Sequence, residues 1–275
     1  MQALEPIARA ALKNELAEIV REAGALAASM SGAQLKHWTK HGDSPVTEAD
    51  LAVDRLLHDR LRRLAPDCGW LSEETEDDRA RLGSRRLWVV DPIDGTRAYL
   101  AGRTDWAVSV ALVDNGRPVL GAVFAPAEDG LYLAAAGEGA TRDGAPLAAN
   151  ARDSFEAARA ACPKPMIAEL ETSLPGIVAM PKVHSLALRL ARVASGQLDV
   201  AFASKSSHDW DLAAADLIVH EAGGAFGTLD GQTARYNSAE ARHGALIASE
   251  RARYQRLTAI TRDWRPHGAL YHSLL

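Results

Sequence analysis

The sequence has few cysteines, since only Cys68 and Cys162 occur among its 275 residues. Neither lies in a C-x-x-C pair or in the spacing of a zinc site, and two thiols are too few for a disulfide framework. This excludes the small disulfide-stabilised scaffolds and the cysteine-rich metal sites. We therefore expect both cysteines to be reduced, structural thiols.

The sequence also lacks a strong charge of one sign and long apolar runs. Its formal net charge is -5 and its lysines and arginines form no long run, so we expect no polynucleotide partner. No segment approaches the roughly 18 uninterrupted apolar residues that a membrane span needs. Charged residues interrupt the apolar pattern of the first 20 positions, which therefore have no signal-peptide core. We expect a cytoplasmic protein with no membrane partner.

What the sequence does have is the composition of an ordinary globular protein, with 47% hydrophobic and 24% charged residues. Its length allows one large domain or two small ones. The best candidate boundary lies between positions 148 and 165. We predict an N-terminal α+β half over residues 1–150 and a C-terminal α/β half over residues 151–275.

Periodicity predicts the elements of the first half. Apolar residues at helical spacing from Leu4 to Leu26 predict a long helix, and a second helix is predicted over about 48 to 64, capped by Thr47. From Asp105 to Leu133 the pattern changes to period two, with turn signals at 114–116 and 128–130. This predicts an antiparallel meander of three strands, closed by the glycine-rich stretch 137–144.

In the second half, helical patterns alternate with short apolar runs, which predicts a mixed sheet flanked by helices. The helical patterns cover 185–195, 212–222 and 251–261, and the apolar runs cover 200–203 and 245–248.

The most informative segment is Leu87–Thr96, an apolar strand that ends in two aspartates followed by glycine and threonine. We expect the strand to stop at Asp91. Pro92 fixes its own φ and favours extended geometry at Asp91, so the turn is stiff before anything binds. Asp91 and Asp94 can then converge on a hard cation, with the Ile93 carbonyl as a third oxygen.

The residues that follow are suited to an anion. Gly95 allows the backbone to fold closely, and a helix that starts at Thr96 would point its free N–H groups at a phosphate. The whole segment therefore predicts a chemistry of phosphate plus divalent metal.

Three other segments carry carboxylates that packing does not require. Glu73 and Glu74 are adjacent like charges, although solvated pairs of this kind are common at surfaces. The helix dipole accounts equally for Asp50 in the first turn of the second helix. Helix capping accounts for Asp211. Each carboxylate has a structural explanation when it is considered alone, but together the four segments indicate one acidic site.

At these segments the chain resembles the inositol monophosphatase superfamily, and within it the bacterial 3′(2′),5′-bisphosphate nucleotidase branch. The likeness extends from about residue 8 to 260 and rests on motifs in a fixed order: Thr47-Glu48-Ala49-Asp50, Leu71-Ser72-Glu73-Glu74, Asp91-Pro92-Ile93-Asp94-Gly95-Thr96 and Trp210-Asp211. The resemblance implies an α+β fold, a layered α/β/α/β/α sandwich with the antiparallel meander sheet first and a smaller mixed sheet second. The C-terminal half would complete the site with Asp211.

The resemblance also implies a cofactor of two or three Mg²⁺ ions per site. Their ligands would be Glu73, Asp91, the Ile93 carbonyl, Asp94 and Asp211. Magnesium keeps several waters and is held by a few carboxylates plus substrate phosphate, which agrees with this set. Two cations that share a phosphate ester stabilise the attacking and the leaving oxygen of an in-line displacement.

The catalytic roles implied by the resemblance fall on four side chains. Thr96 and Asp50 would form a hydrogen-bonded pair that orients the attacking water, and Glu73 or Glu74 would help to take its proton. The substrate phosphate would contact the N–H groups of Gly95 and Thr96. The other substrate contacts would be Asp94, Arg97, Lys205 and Asp211.

Two cationic residues bear on the identity of the substrate. Where inositol phosphatases usually follow the motif with Thr-Asn-Phe, this chain has Arg97-Ala98-Tyr99, and the nucleotidase branch typically has a basic residue there. Lys205 lies in a stretch where inositol phosphatases carry a glutamate. Both side chains are equally explained as solvated surface residues. Val183-His184-Ser185 and His208 receive no assignment.

We therefore prefer hydrolysis of a 3′(2′),5′-bisphosphate nucleotide, such as adenosine 3′,5′-bisphosphate to AMP. The alternative is an inositol 1-phosphate or other sugar or polyol monophosphatase.

A haloacid-dehalogenase-type phosphatase would have a single residue between its two aspartates, whereas here two residues intervene. A non-catalytic, metal-stabilised dimer scaffold would not need a water-orienting threonine. By resemblance we expect a homodimer that acts on a small phosphorylated metabolite and is inhibited by lithium.

Overall fold

The computed structural model describes residues 6–32, 35–39, 45–262 and 264. Its helices are α1 (Pro6–Met30), α2 (Glu48–Leu64), α3 (Thr96–Leu100), α4 (Lys164–Ser173), α5 (Leu186–Ala194), α6 (Asp209–Glu221) and α7 (Arg251–Thr261). Its first strands are β1 (His37–Thr39), β2 (Pro45–Thr47), β3 (Gly69–Ser72), β4 (Arg86–Asp94), β5 (Ala107–Asp114), β6 (Arg117–Ala125), β7 (Gly130–Ala135), β8 (Ala140–Arg142) and β9 (Ala145–Pro146). The later strands are β10 (Arg159–Ala161), β11 (Val178–Ala179), β12 (Val200–Ala203), β13 (Ser207–His208), β14 (Gly224–Thr228), β15 (Arg242–His243) and β16 (Leu246–Glu250).

Two main sheets form the framework. The larger has seven strands in the order β3-β4-β5-β6-β7-β8-β9, and the smaller has five in the order β11-β10-β12-β16-β14. Strands β5, β6 and β7 are antiparallel neighbours, which confirms the predicted meander. The glycine-rich stretch does not close this sheet, because β8 and β9 continue it, and β3 adds a parallel strand beside β4. The smaller sheet is mixed, as predicted.

Alternating side chains of β4 supply both faces of the larger sheet. Trp88 and Val90 are buried in a cluster with α1 and α2. Leu87 and Val89 point to the other face and pack with α5 and α6. This alternation follows from the period of two along a strand. It explains why β4 is apolar at four successive positions, from Leu87 to Val90.

The smaller sheet lies on the far side of α5 and α6. Ala201 and Ala203 of β12 belong to the cluster around these two helices, whereas Val200 and Phe202 pack against α4 and α7. The layers are therefore α1/α2, the larger sheet, α5/α6, the smaller sheet and α4/α7, which is the predicted α/β/α/β/α sandwich. The division at residue 150 stays a prediction.

Helix α6 lies unusually close to the larger sheet. A Cβ atom added to Gly121 of β6 would lie 2.7 Å from the Ala214 carbonyl oxygen. Three successive alanines, Ala213 to Ala215, give the helix a narrow buried face at this crossing. The close approach brings the start of α6 to the end of β4.

Several predicted bounds are confirmed and some are wrong. Helices α2 and α7 have the predicted ends, while the predicted start of α1 at Leu4 lies outside the described residues. Strand β4 does not stop at Asp91 but continues to Asp94, with an irregular register between the two. Helix α6 begins at Asp209 with His208 as its N-cap, so Asp211 is not the N-cap residue but the third residue of the helix, whose carboxylate accepts the N-cap N–H. Helix α4 was not predicted.

Two further expectations concern the cysteines and the membrane. Cys68 is buried, Cys162 is partly buried, and both are free thiols, as predicted. Within the part of the chain that the structure describes, no helix combines the length and the hydrophobicity that a bilayer crossing requires.

Candidate active site

Three aspartates from distant positions meet where β4 ends and α6 begins. Asp91, Asp94 and Asp211 each offer a carboxylate oxygen, and these oxygens all lie within 4.8 Å of one another. Asp91 and Asp94 flank the irregular register of β4, and Asp211 lies in the first turn of α6. The bulged strand end and the close packing of α6 together produce this convergence.

Asp91 lies at the centre of the cluster and is only 1% exposed. Among the residues that the structure describes, neither of its carboxylate oxygens has a hydrogen-bond partner. Burial and the nearby charges of Glu73, Asp94 and Asp211 raise its pKa well above the ordinary value. A buried carboxylate without donors and among other carboxylates is unfavourable unless a cation joins it. The arrangement therefore fits a divalent metal ion.

Asp94 is held on one side by the start of α5. Its Oδ2 accepts hydrogen bonds from the Ser185 hydroxyl at 2.7 Å and from the Ala187 N–H at 2.6 Å. Burial raises the pKa of Asp94, although these two donors oppose the shift. With Oδ2 occupied by protein donors, Oδ1 is the oxygen that is suited to bind a cation.

Asp211 is fixed in a similar way by the helix that carries it. Its Oδ2 accepts the His208 N–H at 2.6 Å. Burial, followed by the charge of Asp94, raises the pKa of Asp211 to about 7. The ring of His208, the N-cap residue, stacks on Trp210 in the first turn of α6 with a centroid separation of 4.4 Å.

Glu73 and Glu74 follow β3 on the neighbouring strand and are both half-buried. The Glu73 N–H donates to the Val90 carbonyl at 3.2 Å, which continues the pairing of β3 with β4 beside Asp91. Ser72 Oγ donates to Asp54 at 2.5 Å and accepts from the Glu74 N–H at 3.2 Å. Glu73 is outside the group of three aspartates, but its charge contributes to the raised pKa of Asp91.

Asp50 reaches the site from the N-terminus of α2. Its Oδ2 accepts from the N–H and the hydroxyl of Thr47, at 2.8 and 2.5 Å. Its Oδ1 lies 3.4 Å from Thr96 Oγ1, which is also 3.1 Å from the Ile93 carbonyl oxygen. Burial raises the pKa of Asp50, although its hydrogen bonds oppose the shift. The structure thus places Thr96 beside Asp50, the two residues that the family resemblance pairs.

Gly95 joins β4 to α3 with φ +94°, in the left-handed region that favours glycine. A Cβ atom there would lie 3.1 Å from the Ser185 nitrogen and 3.3 Å from the Asp105 carbonyl oxygen. Helix α3 starts at Thr96, as predicted. Glycine is thus needed both for the backbone turn and for the contact with the residues before α5.

Arg97 and Lys205 are both exposed. Arg97 lies in the first turn of α3, directly after the segment that carries Asp94. Lys205 lies in the turn between β12 and β13, and β13 leads into the helix that carries Asp211. Both cations therefore belong to chain segments that adjoin the aspartate cluster.

The sequence did not reveal the residues that support Asp94 from α5. Ser185 is fully buried and caps α5 by accepting the Leu188 N–H at 2.9 Å. Asp105 accepts from His184, and the buried Arg189 donates to the Val183 carbonyl. A serine before a helical pattern is a capping signal, but nothing in the sequence connects it with an aspartate 91 positions away.

Most of this chain is similar to known proteins. The model of the family described as "Inositol monophosphatase family" matches residues 2–265. The chain is 34% identical to the inositol-1-monophosphatase of Rhizobium meliloti over 79% of this chain and 85% of that protein. It is 36% identical to the histidinol-phosphatase of Mycobacterium tuberculosis over 76% of this chain and 84% of that protein.

A likeness to a nucleotidase is higher in identity but shorter. The 3′(2′),5′-bisphosphate nucleotidase CysQ of Escherichia coli is 42% identical over 36% of this chain and 41% of that protein. Among solved structures, an IMPase of Thermotoga maritima superimposes with a TM-score of 0.81 at 26% identity, covering 91% of this chain and 96% of that one. The sequence identities and the structural superposition therefore relate this chain to the same group of phosphatases.

Proposed function

This chain belongs to the inositol monophosphatase family, and from that premise we propose that it removes a phosphate from a 3′(2′),5′-bisphosphate nucleotide, such as adenosine 3′,5′-bisphosphate, which gives AMP. The family and its relatives are Mg²⁺-dependent phosphoric monoester hydrolases. The class of the reaction is therefore that of a metal-dependent phosphatase acting on a phosphorylated small molecule. The choice of substrate and the roles of individual residues form the proposal.

The observation that supports the metal site most strongly is the buried, donor-free carboxylate of Asp91. We assign the cation ligands to Glu73, Asp91, the Ile93 carbonyl, Asp94 and Asp211. Bound Mg²⁺ neutralises these carboxylates and stabilises the negative charge of the phosphoryl oxygens. The aspartates would otherwise repel both one another and the incoming phosphate.

The water that attacks phosphorus is oriented by Thr96 and Asp50 in this proposal. When the Thr96 hydroxyl donates to Asp50 or to the Ile93 carbonyl, its own oxygen can accept a proton of the water. This leaves a lone pair of the water directed at the phosphorus. Glu73 or Glu74 then accepts the proton that the water releases.

The substrate contacts divide between the reacting phosphate and the remainder of the molecule. The N–H groups of Gly95 and Thr96 would hold the oxygens of the reacting phosphate, and Asp94 and Asp211 would hold cations that neutralise its charge. Arg97 and Lys205 serve the second phosphate. A site this acidic would repel a doubly phosphorylated substrate, and these two exposed cations offset that repulsion.

A second candidate function rests on the longer likenesses. The chain is similar over most of its length to an inositol-1-monophosphatase and to a histidinol-phosphatase, whereas its likeness to a nucleotidase covers about a third of it. Hydrolysis of an inositol, sugar or polyol monophosphate is therefore the alternative. The homodimer, the lithium inhibition, the cytoplasmic location and the two halves divided at residue 150 remain proposals. A non-catalytic scaffold stays the alternative of another class.

The deciding experiment is a phosphate-release panel with purified protein and Mg²⁺. It compares adenosine 3′,5′-bisphosphate, inositol 1-phosphate, histidinol phosphate and fructose 1,6-bisphosphate. We expect kcat/KM for the nucleotide to exceed the others by about tenfold, or about 1.4 kcal/mol in transition-state binding. A higher kcat/KM for inositol 1-phosphate or histidinol phosphate would contradict the nucleotide as the preferred substrate. If no phosphate is released from any of the four compounds, the non-catalytic scaffold is favoured.

Single substitutions test whether Arg97 and Lys205 bind the second phosphate. Arg97→Gln and Lys205→Gln should lower kcat/KM for the bisphosphate but not for a monophosphate. The matched control is Arg152→Gln, which removes an exposed positive charge beside Asn150 and Arg253 in another part of the fold. An equal loss of kcat/KM for the bisphosphate and for the monophosphate would show that neither cation recognises the second phosphate.

A further inference from the structure

The support of Asp94 begins with the hydroxyl of Ser185. Ser185 Oγ accepts the Leu188 N–H at 2.9 Å as the cap of α5, so its single hydroxyl proton is available for Asp94 Oδ2 at 2.7 Å. The Ala187 N–H donates to the same oxygen at 2.6 Å. The position of Asp94 Oδ2 therefore depends on where the first residues of α5 lie.

Those first residues are held by Asp105, a residue that is only 8% exposed. Its Oδ2 accepts the His184 backbone N–H at 2.9 Å and lies 2.7 Å from His184 Nδ1. Its own carbonyl oxygen accepts the Ser185 N–H at 3.0 Å. Asp105 thus contacts two successive residues of the turn that leads to Asp94.

Asp105 is itself well placed to act as a fixed point. It precedes β5, whose Ala107 pairs with Asp94 across the sheet. Its Oδ1 accepts from Arg103 Nε at 2.9 Å. Burial alone would raise the pKa of Asp105, but the hydrogen bonds from His184 and Arg103 lower it, so the carboxylate is charged at neutral pH.

The turn has little freedom to move away from this arrangement. Arg189 donates to the Val183 carbonyl through Nε at 3.2 Å and Nη2 at 2.6 Å, which fixes the residue before His184. On the opposite side, a Cβ atom at Gly95 would lie 3.1 Å from the Ser185 nitrogen. The turn is therefore confined between Arg189, Asp105 and the segment that carries Asp94.

We propose that Asp105, acting through His184 and Ser185, is a positioning residue that directs the Oδ1 oxygen of Asp94 towards the cation shared with Asp91 and Asp211. This proposal rests on the proposed function, in which Asp94 is a cation ligand. Asp105 does not touch the substrate or the cation. Its effect is on how well the site binds the metal, because partners of metal ligands set the ligands' orientation.

The test measures Mn²⁺ binding directly, by the loss of the electron paramagnetic resonance signal of free Mn²⁺ during titration. We expect Asp105→Asn to weaken Mn²⁺ binding by about tenfold, the usual effect of removing a partner of a ligand. The Mg²⁺ concentration for half-maximal phosphate release should rise by the same factor. The kcat at saturating Mg²⁺ should stay near that of the wild type, because the Asp105 side chain takes no part in the reaction.

Two further variants separate positioning from simple destabilisation. His184→Ala removes the ring contact but keeps the backbone N–H on Asp105, so it should weaken Mn²⁺ binding by a smaller factor. The matched control is Asp199→Asn, because Asp199 is also a buried aspartate that accepts from an arginine, Arg159, and from its backbone N–H. This control should lower the unfolding temperature without changing Mn²⁺ affinity.

Wild-type Mn²⁺ affinity in Asp105→Asn would overturn the proposal, as would an equal loss of affinity in Asp199→Asn. Asp91→Asn distinguishes this failure from failure of the proposed function. If the wild type and Asp91→Asn bind Mn²⁺ equally, then the aspartates do not form the cation site, and the proposed function itself is wrong.

Discussion

Thr96 Oγ1 lies 3.4 Å from Asp50 Oδ1, although the two residues are 46 positions apart in the sequence. Asp50 is fixed by the capping interactions of Thr47 at the start of α2, and Thr96 is the first residue of α3. Two helix N-termini thus meet beside the aspartate cluster. The Thr96 hydroxyl therefore lies between two acceptors, the Asp50 carboxylate and the Ile93 carbonyl oxygen.

Replacing Thr96 by valine should lower kcat while leaving metal binding intact. Valine keeps the shape of threonine but cannot accept a proton of the attacking water, and groups of this kind contribute about 10²-fold or more to rate. The measurement is steady-state phosphate release at saturating Mg²⁺, together with Mn²⁺ affinity. Thr96→Ser, which retains the hydroxyl, is the control and should keep most of the activity. A valine variant with nearly normal kcat would remove Thr96 from the catalytic group.

Asp91→Asn should abolish Mg²⁺-dependent turnover but stabilise the metal-free protein. The wild-type carboxylate is buried without donors among other carboxylates, and the neutral amide avoids that charge repulsion. Unfolding temperatures measured by calorimetry in EDTA should rise by about 2–4 °C for each kcal/mol gained in a protein of this size.

A matched aspartate provides the control for that prediction. Asp209 is fully buried, but it accepts the Asn237 N–H at 2.9 Å and lies 2.7 Å from His243 Nε2. Asp209→Asn should therefore destabilise the metal-free protein, because a charged acceptor with partners is lost. Equal destabilisation by Asp91→Asn and Asp209→Asn would argue against a cation at Asp91.

Gly121→Ala should weaken both the fold and the metal site. The added Cβ atom would lie 2.7 Å from the Ala214 carbonyl oxygen, so α6 must move away from β6 and carry Asp211 with it. Overpacking of this kind costs about 1–3 kcal/mol, measured by urea unfolding. Mn²⁺ affinity should fall in the same variant. Gly83→Ala should change neither quantity, because apart from its chain neighbours no described residue lies within 4 Å of the new Cβ.

Stability should depend on pH through His220. Burial lowers the pKa of His220, but its hydrogen bond and charge contact with Asp216 outweigh this, and its pKa in the folded protein is raised above 6.5. A group whose pKa is higher in the folded than in the unfolded protein contributes its full stabilisation of the fold below the unfolded pKa. This stabilisation is lost as pH rises through the folded pKa. The contribution should therefore be present below pH 6.5 and decline above it.

The measurement is urea unfolding of the wild type and His220→Gln from pH 6 to pH 8.5, with Mg²⁺ present throughout so that the metal ligands stay occupied. The advantage of the wild type over His220→Gln should shrink as pH rises. A constant difference across this range would mean that the His220–Asp216 contact does not depend on the charge of the histidine.

Local signals in the sequence predicted the elements whose causes are local. The capping of α2 by Thr47, the ends of α2 and the period-two pattern of β5 to β7 all depend on residues a few positions apart. The Asp91–Asp94 segment could be assigned to a metal because its spacing and its proline carry chemical information within one turn of chain.

What the sequence did not predict arises from contacts between distant segments. The continuation of β4 beyond Asp91 depends on its pairing with β5, which resumes at Asp94 after the irregular register at Pro92, a residue without an N–H for the ladder. The start of α6 at Asp209 is set by the Asp209 N–H bond to the Ala241 carbonyl at 3.0 Å, far along the chain. The donors on Asp94 come from α5, and no spacing rule links the two.

The assembly of the site from β4 and α6 has a consequence for protein synthesis. Asp91 and Asp94 leave the ribosome long before Asp211, and the oxygens of all three converge only when α6 has packed against the larger sheet. A growing polypeptide therefore carries two of the three aspartates of this cluster without the third for much of translation. The chain can therefore bind the cation only late in its synthesis, when the later layers of the sandwich have packed against the earlier ones.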